Sequence, residues 1–258
     1  MRLASWNVNG LRARQSFFLR WLGERSPDVV ALQELKLEDG HFPRAELEAA
    51  GYRAICHGQK SWNGVALVTR EPAEPVQVGL PGQEALGARL LAARVGAFTV
   101  ASVYVPNGKS VGHDDFARKL VWLDALAEWV APRRDEPLVL GGDFNLCPTG
   151  LDSWNEERFR GRIFHTDAER ERFARLQSLG LVDLFRARHP ERQAFSWWDY
   201  RAGSFHRGQG LRIDFLLATS PLAARLREAE IDRDWRKKRD DLPPSDHAPV
   251  WIDLDGAA

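Results

Sequence analysis

Cysteine is nearly absent from this 258-residue chain: Cys56 and Cys147 stand alone, far apart and outside any CxxC pair. That removes a disulfide framework and a structural zinc knuckle from consideration, and both residues are expected to be small buried hydrophobes. Long apolar runs are missing too. None approaches the roughly 20 residues needed to span a bilayer, and Met1 to Asn7 turns polar too soon for a secretory signal, so the expectation is a cytoplasmic protein without a membrane partner. Net charge is absent as well, with 36 basic against 36 acidic residues. Charge alone therefore gives no argument for a nucleic-acid or membrane partner. Lysine occurs only at positions 36, 60, 109, 119, 237 and 238, which leaves thirty arginines, and ten Trp outnumber three Tyr. Arginine's fork matches phosphate oxygens and flat rings suit base stacking, although a GC-rich genome and an aromatic core explain these counts equally well. No repeat, low-complexity tract or Gly/Ser linker interrupts the chain, so residues 1–258 are expected to form a single domain.

What is present is a series of short apolar or β-branched runs bounded by turn residues. Residues 2–8, 28–33, 64–69, 97–105, 137–141, 211–218 and 248–254 read as strands. Phe116, Leu120, Leu123, Ala127 and Val130 recur at helical spacing and predict a core-facing helix over 114–130. Thr166-Asp167-Ala168-Glu169 is a capping box that opens a second helix, with Gly180 to close it, and residues 15–23 read as a shorter one. Helices among many strands, some consecutive, give an α/β class with a mixed sheet.

Acidic and amide side chains gather at the ends of these strands. Asn7 ends the first and Glu34 follows the second. Gly141-Gly142-Asp143-Phe144-Asn145 follows a Leu-Val-Leu strand, Asp214 lies near the start of another, and Ser245-Asp246-His247 precedes the last. Singly, each is also a turn former or cap. Together they supply the hard oxygen donors that Mg²⁺ or Mn²⁺ requires, on positions an α/β scaffold holds rigidly. The composition and spacing thus reach a metal-assisted hydrolase of a phosphate ester.

The blocks Trp6-Asn7-Val8-Asn9-Gly10, Leu32-Gln33-Glu34-Leu35-Lys36, Tyr104-Val105-Pro106-Asn107-Gly108, Gly142-Asp143-Phe144-Asn145, Gly210-Leu211-Arg212-Ile213-Asp214 and Ser245-Asp246-His247 carry a resemblance. In this order they resemble the exonuclease III family of abasic-site DNA endonucleases, over essentially the whole chain. The blocks at 7, 34, 143 and 246 are shared with a wider superfamily of phosphoesterases, whereas residues 151–155 and 195–201 are more specific to the DNA-repair branch. The resemblance implies a four-layer α/β/β/α sandwich of two mixed sheets packed face to face. It further implies a Mg²⁺- or Mn²⁺-dependent nuclease that cuts 5′ to abasic sites in double-stranded DNA, with 3′ to 5′ exonuclease and 3′-phosphatase side activities, working as a monomer.

Carried over by position, Glu34 would be the principal metal ligand, with Asn7 and Asp246 as direct or water-mediated ligands. Asp143 would handle the attacking water and Asn145 would help hold it. His247, paired with Asp214, would donate to the scissile phosphate, and Tyr104 would bind the same group. Arg12, Lys36 and Asn107 would approach the DNA backbone, Asp152 would support the active-site loop, and Trp197, Leu211 and Ile213 would line an abasic-sugar pocket. Two departures stand out: Arg207-Gly208-Gln209 replaces a segment in which the family commonly has an Asn, and Leu35 replaces a usual Thr. The alternative is a phosphodiesterase on an inositol phosphate or phospholipid using the same fold, for which no apolar membrane-binding stretch is visible.

Overall fold

The first strand already shows the plan. In β1 (Arg2–Asn7), Leu3 faces one core while Ala4 and Trp6 face another, and all are buried, so this strand has no solvent side. The computed structural model describes residues 1–256, and positions 257 and 258 of the expected domain lie outside the described residues. One sheet runs β11 (Leu226–Ile231), β12 (Val250–Leu254), β1, β2 (Val29–Gln33), β4 (Val65–Thr69), β3 (Arg53–His57). The other runs β5 (Ala73–Val78), β6 (Leu90–Val95), β7 (Phe98–Tyr104), β8 (Leu138–Asp143), β10 (Asp214–Thr219), β9 (Leu181–Asp183). Each sheet has one parallel pair, β1 with β2 and β7 with β8, among antiparallel neighbours.

The two sheets face each other across Leu3, Val29, Ala31 and Leu67 on one side and Leu91, Ala93, Val139 and Leu216 on the other. Helix α1 (Leu11–Arg25) covers the outer face of the first sheet with Phe17, Phe18, Trp21 and Leu22. The short α2 (Arg44–Ala49) adds Leu47. Helix α3 (Asp114–Val130) covers the second sheet with Trp122, Leu123 and Leu126, beyond α4 (Glu156–Phe159) comes α5 (Asp167–Ser178) with Phe173 and Leu176, and α6 (Leu184–Arg188) and α7 (Ser220–Ala223) are single turns. The layers are therefore helix, sheet, sheet, helix. Thr166 caps α5 in the reciprocal arrangement with Glu169 that its sequence predicts.

Where sequence and structure differ, tertiary packing is the reason. Five strands, β3, β5, β6, β9 and β11, have no counterpart among the expected runs. β5 is an exposed edge containing Pro75, β9 has three residues, Leu-Leu-Ala-Ala-Arg-Val carries no strand alternation, and in Leu-Arg-Glu-Ala-Glu-Ile the alternation is confined to Ala229 and Ile231, beyond a register shift at Leu226 to Glu228. The run expected from Leu211 becomes a strand only at Asp214, because Leu211 instead bridges singly to Ser153 and Trp197. The helix expected over 15–23 begins at Leu11, straight after Gly10, whose φ of 98° only glycine adopts easily.

Between the sheets, at the end that carries the site, a buried polar chain replaces apolar contact. Ser5 Oγ donates to Gln33 Oε1 at 3.3 Å, Gln33 Nε2 to Ser102 Oγ at 3.0 Å, and Ser102 Oγ to the Leu32 carbonyl at 2.8 Å. Each of these groups is satisfied, which is the condition for burying them. The closest approach is at Gly142, where an added Cβ would sit 1.9 Å from the Val103 carbonyl oxygen. Gly142→Ala is expected to destabilise the protein by about 3 kcal/mol through this overlap, read as a lowered urea midpoint. A wild-type midpoint would contradict the packing described.

Candidate active site

Four turns converge at one edge of the sandwich. β1 ends at Asn7, β2 leads into Glu34, β8 ends at Asp143 and β10 begins at Asp214, with Asp214 in register against Asp143. Register alone sets Asn7 beside Gln33, and hence next to Glu34. The turns are tight: Glu34 and Asn145 take left-handed φ values of 53° and 51°. Such backbone persists only where its surroundings hold it. Leu35 and Lys36 N–H groups donate to the carbonyls of Gly64 and Asn63, and Leu35 is buried in the outer core, away from the carboxylates.

Asn7 ties the acids together. Its Nδ2 donates to Glu34 Oε1 and to Asp143 Oδ2, both at 2.9 Å, while its Oδ1 accepts from the Asn9 N–H at 3.0 Å. With that orientation the amide presents donors, not its oxygen, to the site. Tyr104 Oη donates to Glu34 Oε1 at 2.9 Å, and Lys36 Nζ lies 2.9 Å from Glu34 Oε2. Asp143 accepts from the Asn145 backbone at 2.9 Å and its side chain at 3.3 Å. His247 Nδ1 bonds Asp214 Oδ2 at 2.9 Å, and its Nε2 lies 3.9 Å from Asp143 Oδ2. Asp246 stands aside, its Oδ1 accepting from Asn9 and its Oδ2 from the Trp197 indole at 2.8 and 3.0 Å.

The electrostatics follow from burial and neighbours. Burial opposes charge on Glu34, yet Lys36, Asn7 and His247 outweigh it and hold the carboxyl below its ordinary value. Asp143 goes the other way: burial, reinforced by Asp214 and Glu34 against His247, raises it to about 7. Burial lowers His247, but Asp214 dominates and pushes the imidazole up to about 10, so it is an imidazolium in this cluster. Tyr104 stays protonated, raised by burial and by Glu34 and Asp143. Glu34, Asp143 and His247 each offer a ligand atom within 4.8 Å of the others. Four carboxylates facing the His247 imidazolium, the Lys36 ammonium and the Arg89 guanidinium, which lies 4.7 Å from the Tyr104 ring centroid, leave one negative charge in excess, and the oxygen donors suit a hard divalent cation.

Of the other expected residues, Arg12 is exposed at the start of α1 and Asn107 is exposed with its Nδ2 3.4 Å from Asn145 Oδ1. A pocket of about 400 Å³ is lined by Trp197 and Leu211 together with Trp154, Phe159 and Phe164. Ile213, 2% exposed, packs in the cluster behind it and is not part of the lining. Trp198 is core, 1% exposed. Asp152 cannot touch a substrate: it is fully buried, with Oδ1 taken by Arg212 and Arg186 and Oδ2 by Thr149. It ties Thr149 of its own loop to Arg212 and Arg186, the place of a support within the fold. Arg212 continues that support to Asp183 at 2.7 Å.

Two residues that the sequence reading left without a role hold the site. Ser196 Oγ donates to Asp214 Oδ2 at 2.6 Å and accepts from the Asp214 N–H at 3.1 Å, fixing the partner of His247. Its position next to Trp197 in an extended segment, hence on the opposite side, was the available signal. Lys119 is fully buried, bonds Glu169 and donates to the Asn145 carbonyl. A lysine on the apolar face of α3, three residues after Phe116, marked it.

Burial opposes charge on Asp152, and Arg212, Thr149 and Arg186 overcome it, lowering its pKa in the folded state. The stability this contributes is complete above the unfolded value near pH 4 and is lost as the pH falls through the lower folded value. Asp152→Asn is expected to cost about 3 kcal/mol at neutral pH, because it leaves buried Arg212 with Asp183 as its one carboxylate partner, and to flatten the acid limb of stability against pH. Denaturant unfolding from pH 2 to 7 reads both, and an unchanged acid limb would refute the linkage.

With this geometry in place, comparison with known proteins is informative. The sequence model of the endonuclease/exonuclease/phosphatase family matches residues 4–247. The chain is 35% identical to an exodeoxyribonuclease III of Haemophilus influenzae, over 98% of this chain and 100% of that one. Among solved structures, it is similar to a 3′ phosphatase from Neisseria bound to product DNA hairpin, with a TM-score of 0.95 at 37% identity over 99% and 100% of the two chains. An AP endonuclease from Archaeoglobus fulgidus has a TM-score of 0.94 at 32% identity, over 99% and 100% of the chains.

Proposed function

Because the chain belongs to the endonuclease/exonuclease/phosphatase family, in its exodeoxyribonuclease III branch, we propose that it is a Mg²⁺- or Mn²⁺-dependent DNA repair nuclease. On this reading it hydrolyses the phosphodiester 5′ to an abasic site in double-stranded DNA and also removes 3′ nucleotides and 3′ phosphates. We place it in the cytoplasm as a monomer, and among the described residues no helix is long and apolar enough to cross a membrane. The observation that carries the reading is the cluster of half-buried Glu34 with buried Asp143 and His247, its two carboxylates joined through Asn7.

Glu34 would be the principal holder of the cation, with Asn7 and Asp246 as water-mediated ligands, since the amide donates inward and both Asp246 oxygens are engaged. When bound, the ion supplies positive charge to the phosphoryl oxygens and the departing 3′ oxygen. Asp143 accepts the proton of the attacking water as the new P–O bond forms and the P–O3′ bond breaks. A nearby cation favours its ionised form, offsetting the burial that raises it. Asn145 shares Asp143 and is placed to hold that water. The His247 imidazolium, steadied by Asp214, donates to a phosphoryl oxygen, and the protonated Tyr104 hydroxyl is a second donor. These donors face charge that grows in the transition state. Lys36, Arg12 and Asn107 would meet the backbone around the scissile bond.

Chelation by EDTA is expected to abolish cleavage of duplex DNA carrying one abasic analogue. Asp143→Asn is expected to cost on the order of 10² to 10⁴ in rate. Turnover at the wild-type rate in either case would overturn the assignment. The pocket walled by Trp197 and Leu211 is suited to an extruded abasic sugar, which has no stacking or pairing to lose. Trp197→Ala is expected to lower the ratio of abasic-site cleavage to normal 3′-end cleavage. An unchanged ratio in a folded variant would move the pocket elsewhere.

A further inference from the structure

Two arginines are buried among the described residues, and they are treated differently. Arg212 is clamped between Asp152 and Asp183. Arg236, 8% exposed, forms no ion pair among the described residues. Its Nη2 reaches only the Trp198 carbonyl at 3.4 Å, its Nε has no hydrogen-bond partner, and its guanidinium lies 4.6 Å from the Tyr200 ring centroid and 5.5 Å from that of Phe205. A buried cation is expensive unless an anion meets it, and ring faces answer only part of that need.

Arg236 lines a pocket of about 420 Å³, together with His206, Tyr200, and Lys237 and Lys238, whose ammonium groups rest on the exposed Asp234 and Asp241. This pocket adjoins the aromatic one: Asp199 and Ser204 line both. It also adjoins the catalytic cluster. Tyr200 Oη donates to the carbonyl of Pro244, directly before Ser245-Asp246-His247, and Arg14 bridges Tyr200 to the carbonyl of Asn9, whose side chain holds Asp246. The segment between the pockets contains Arg207-Gly208-Gln209.

We propose that the Arg236 pocket is a second anion site, taking one backbone phosphate of the strand whose sugar occupies the aromatic pocket. This rests on the nuclease reading. A phosphodiester oxygen supplies the counter-charge that Arg236 lacks, Lys237 and Lys238 supply the rim, and the shared wall places the two subsites within one stretch of backbone. The site would then set grip and strand position, while the chemical step stays with Glu34, Asp143 and His247.

The test measures binding in EDTA, so no cleavage is needed. The affinity of the whole chain for abasic-analogue duplex is followed over a range of salt for wild type, Arg236→Lys and Arg236→Gln. Loss of one phosphate contact lowers the slope of log K against log salt by about 0.9 in Arg236→Gln, and Arg236→Lys keeps most of it. In duplexes with a single neutral methylphosphonate walked along the strand, one position should weaken wild type but not Arg236→Gln. Should Arg236→Gln fail to fold, Lys237→Gln with Lys238→Gln, both exposed, should lose sensitivity at that position. An unchanged slope with no such position overturns the proposal. So does inorganic phosphate raising the melting temperature of wild type but not of Arg236→Gln while the DNA slopes agree, since the site would then serve free phosphate. A chain showing the expected slopes that never cuts DNA contradicts the nuclease reading alone.

Discussion

Four carboxylates, those of Glu34, Asp143, Asp214 and Asp246, are brought to one edge of the sandwich, where burial makes each charge costly. Most of the surrounding structure answers that constraint. Asn7 donates to two of the acids, His247 is held charged by a third, Lys36 leans on Glu34, and Asn9 with Trp197 holds Asp246. Burial, with Asp214 and Glu34 beside it, still raises Asp143. A cluster of this charge and donor chemistry suits a divalent cation.

Rigidity comes from buried polar chains that run outward from the site. Ser5, Gln33 and Ser102 stitch the sheets beneath it. Ser196 positions Asp214, and the Lys119–Glu169 pair joins α3 and the cap of α5 to the carbonyl of Asn145. Glu169 also accepts from the Phe164 N–H at 3.1 Å, so one carboxylate connects the catalytic loop to the wall of the aromatic pocket. Such networks specify one arrangement when every member is satisfied.

The candidate site residues were legible because each lies at or beside one end of an apolar strand, where a polar side chain has no packing role. The central strands were legible for the same reason: both faces are buried, so Val29–Gln33 and Val65–Thr69 are uninterrupted runs. Edge strands such as β5 and β11 were not, since pairing and not pattern makes them strands. The partners of Asp152 were not legible, because sequence shows a carboxylate near the site but not that Arg212, sixty residues away, turns it inward. Arg236 went unnoticed among thirty arginines, because only burial without a partner distinguishes it.

The claim that under-compensated negative charge defines the site is tested most directly by thermal unfolding with and without Mg²⁺ or Mn²⁺, in wild type and Glu34→Gln. A ligand that binds only the folded state raises the melting temperature. The account predicts that the cation stabilises wild type measurably and that Glu34→Gln, which lacks the carboxylate expected to hold the ion, shifts little with it. Equal shifts in the two proteins, or none in either, would contradict it.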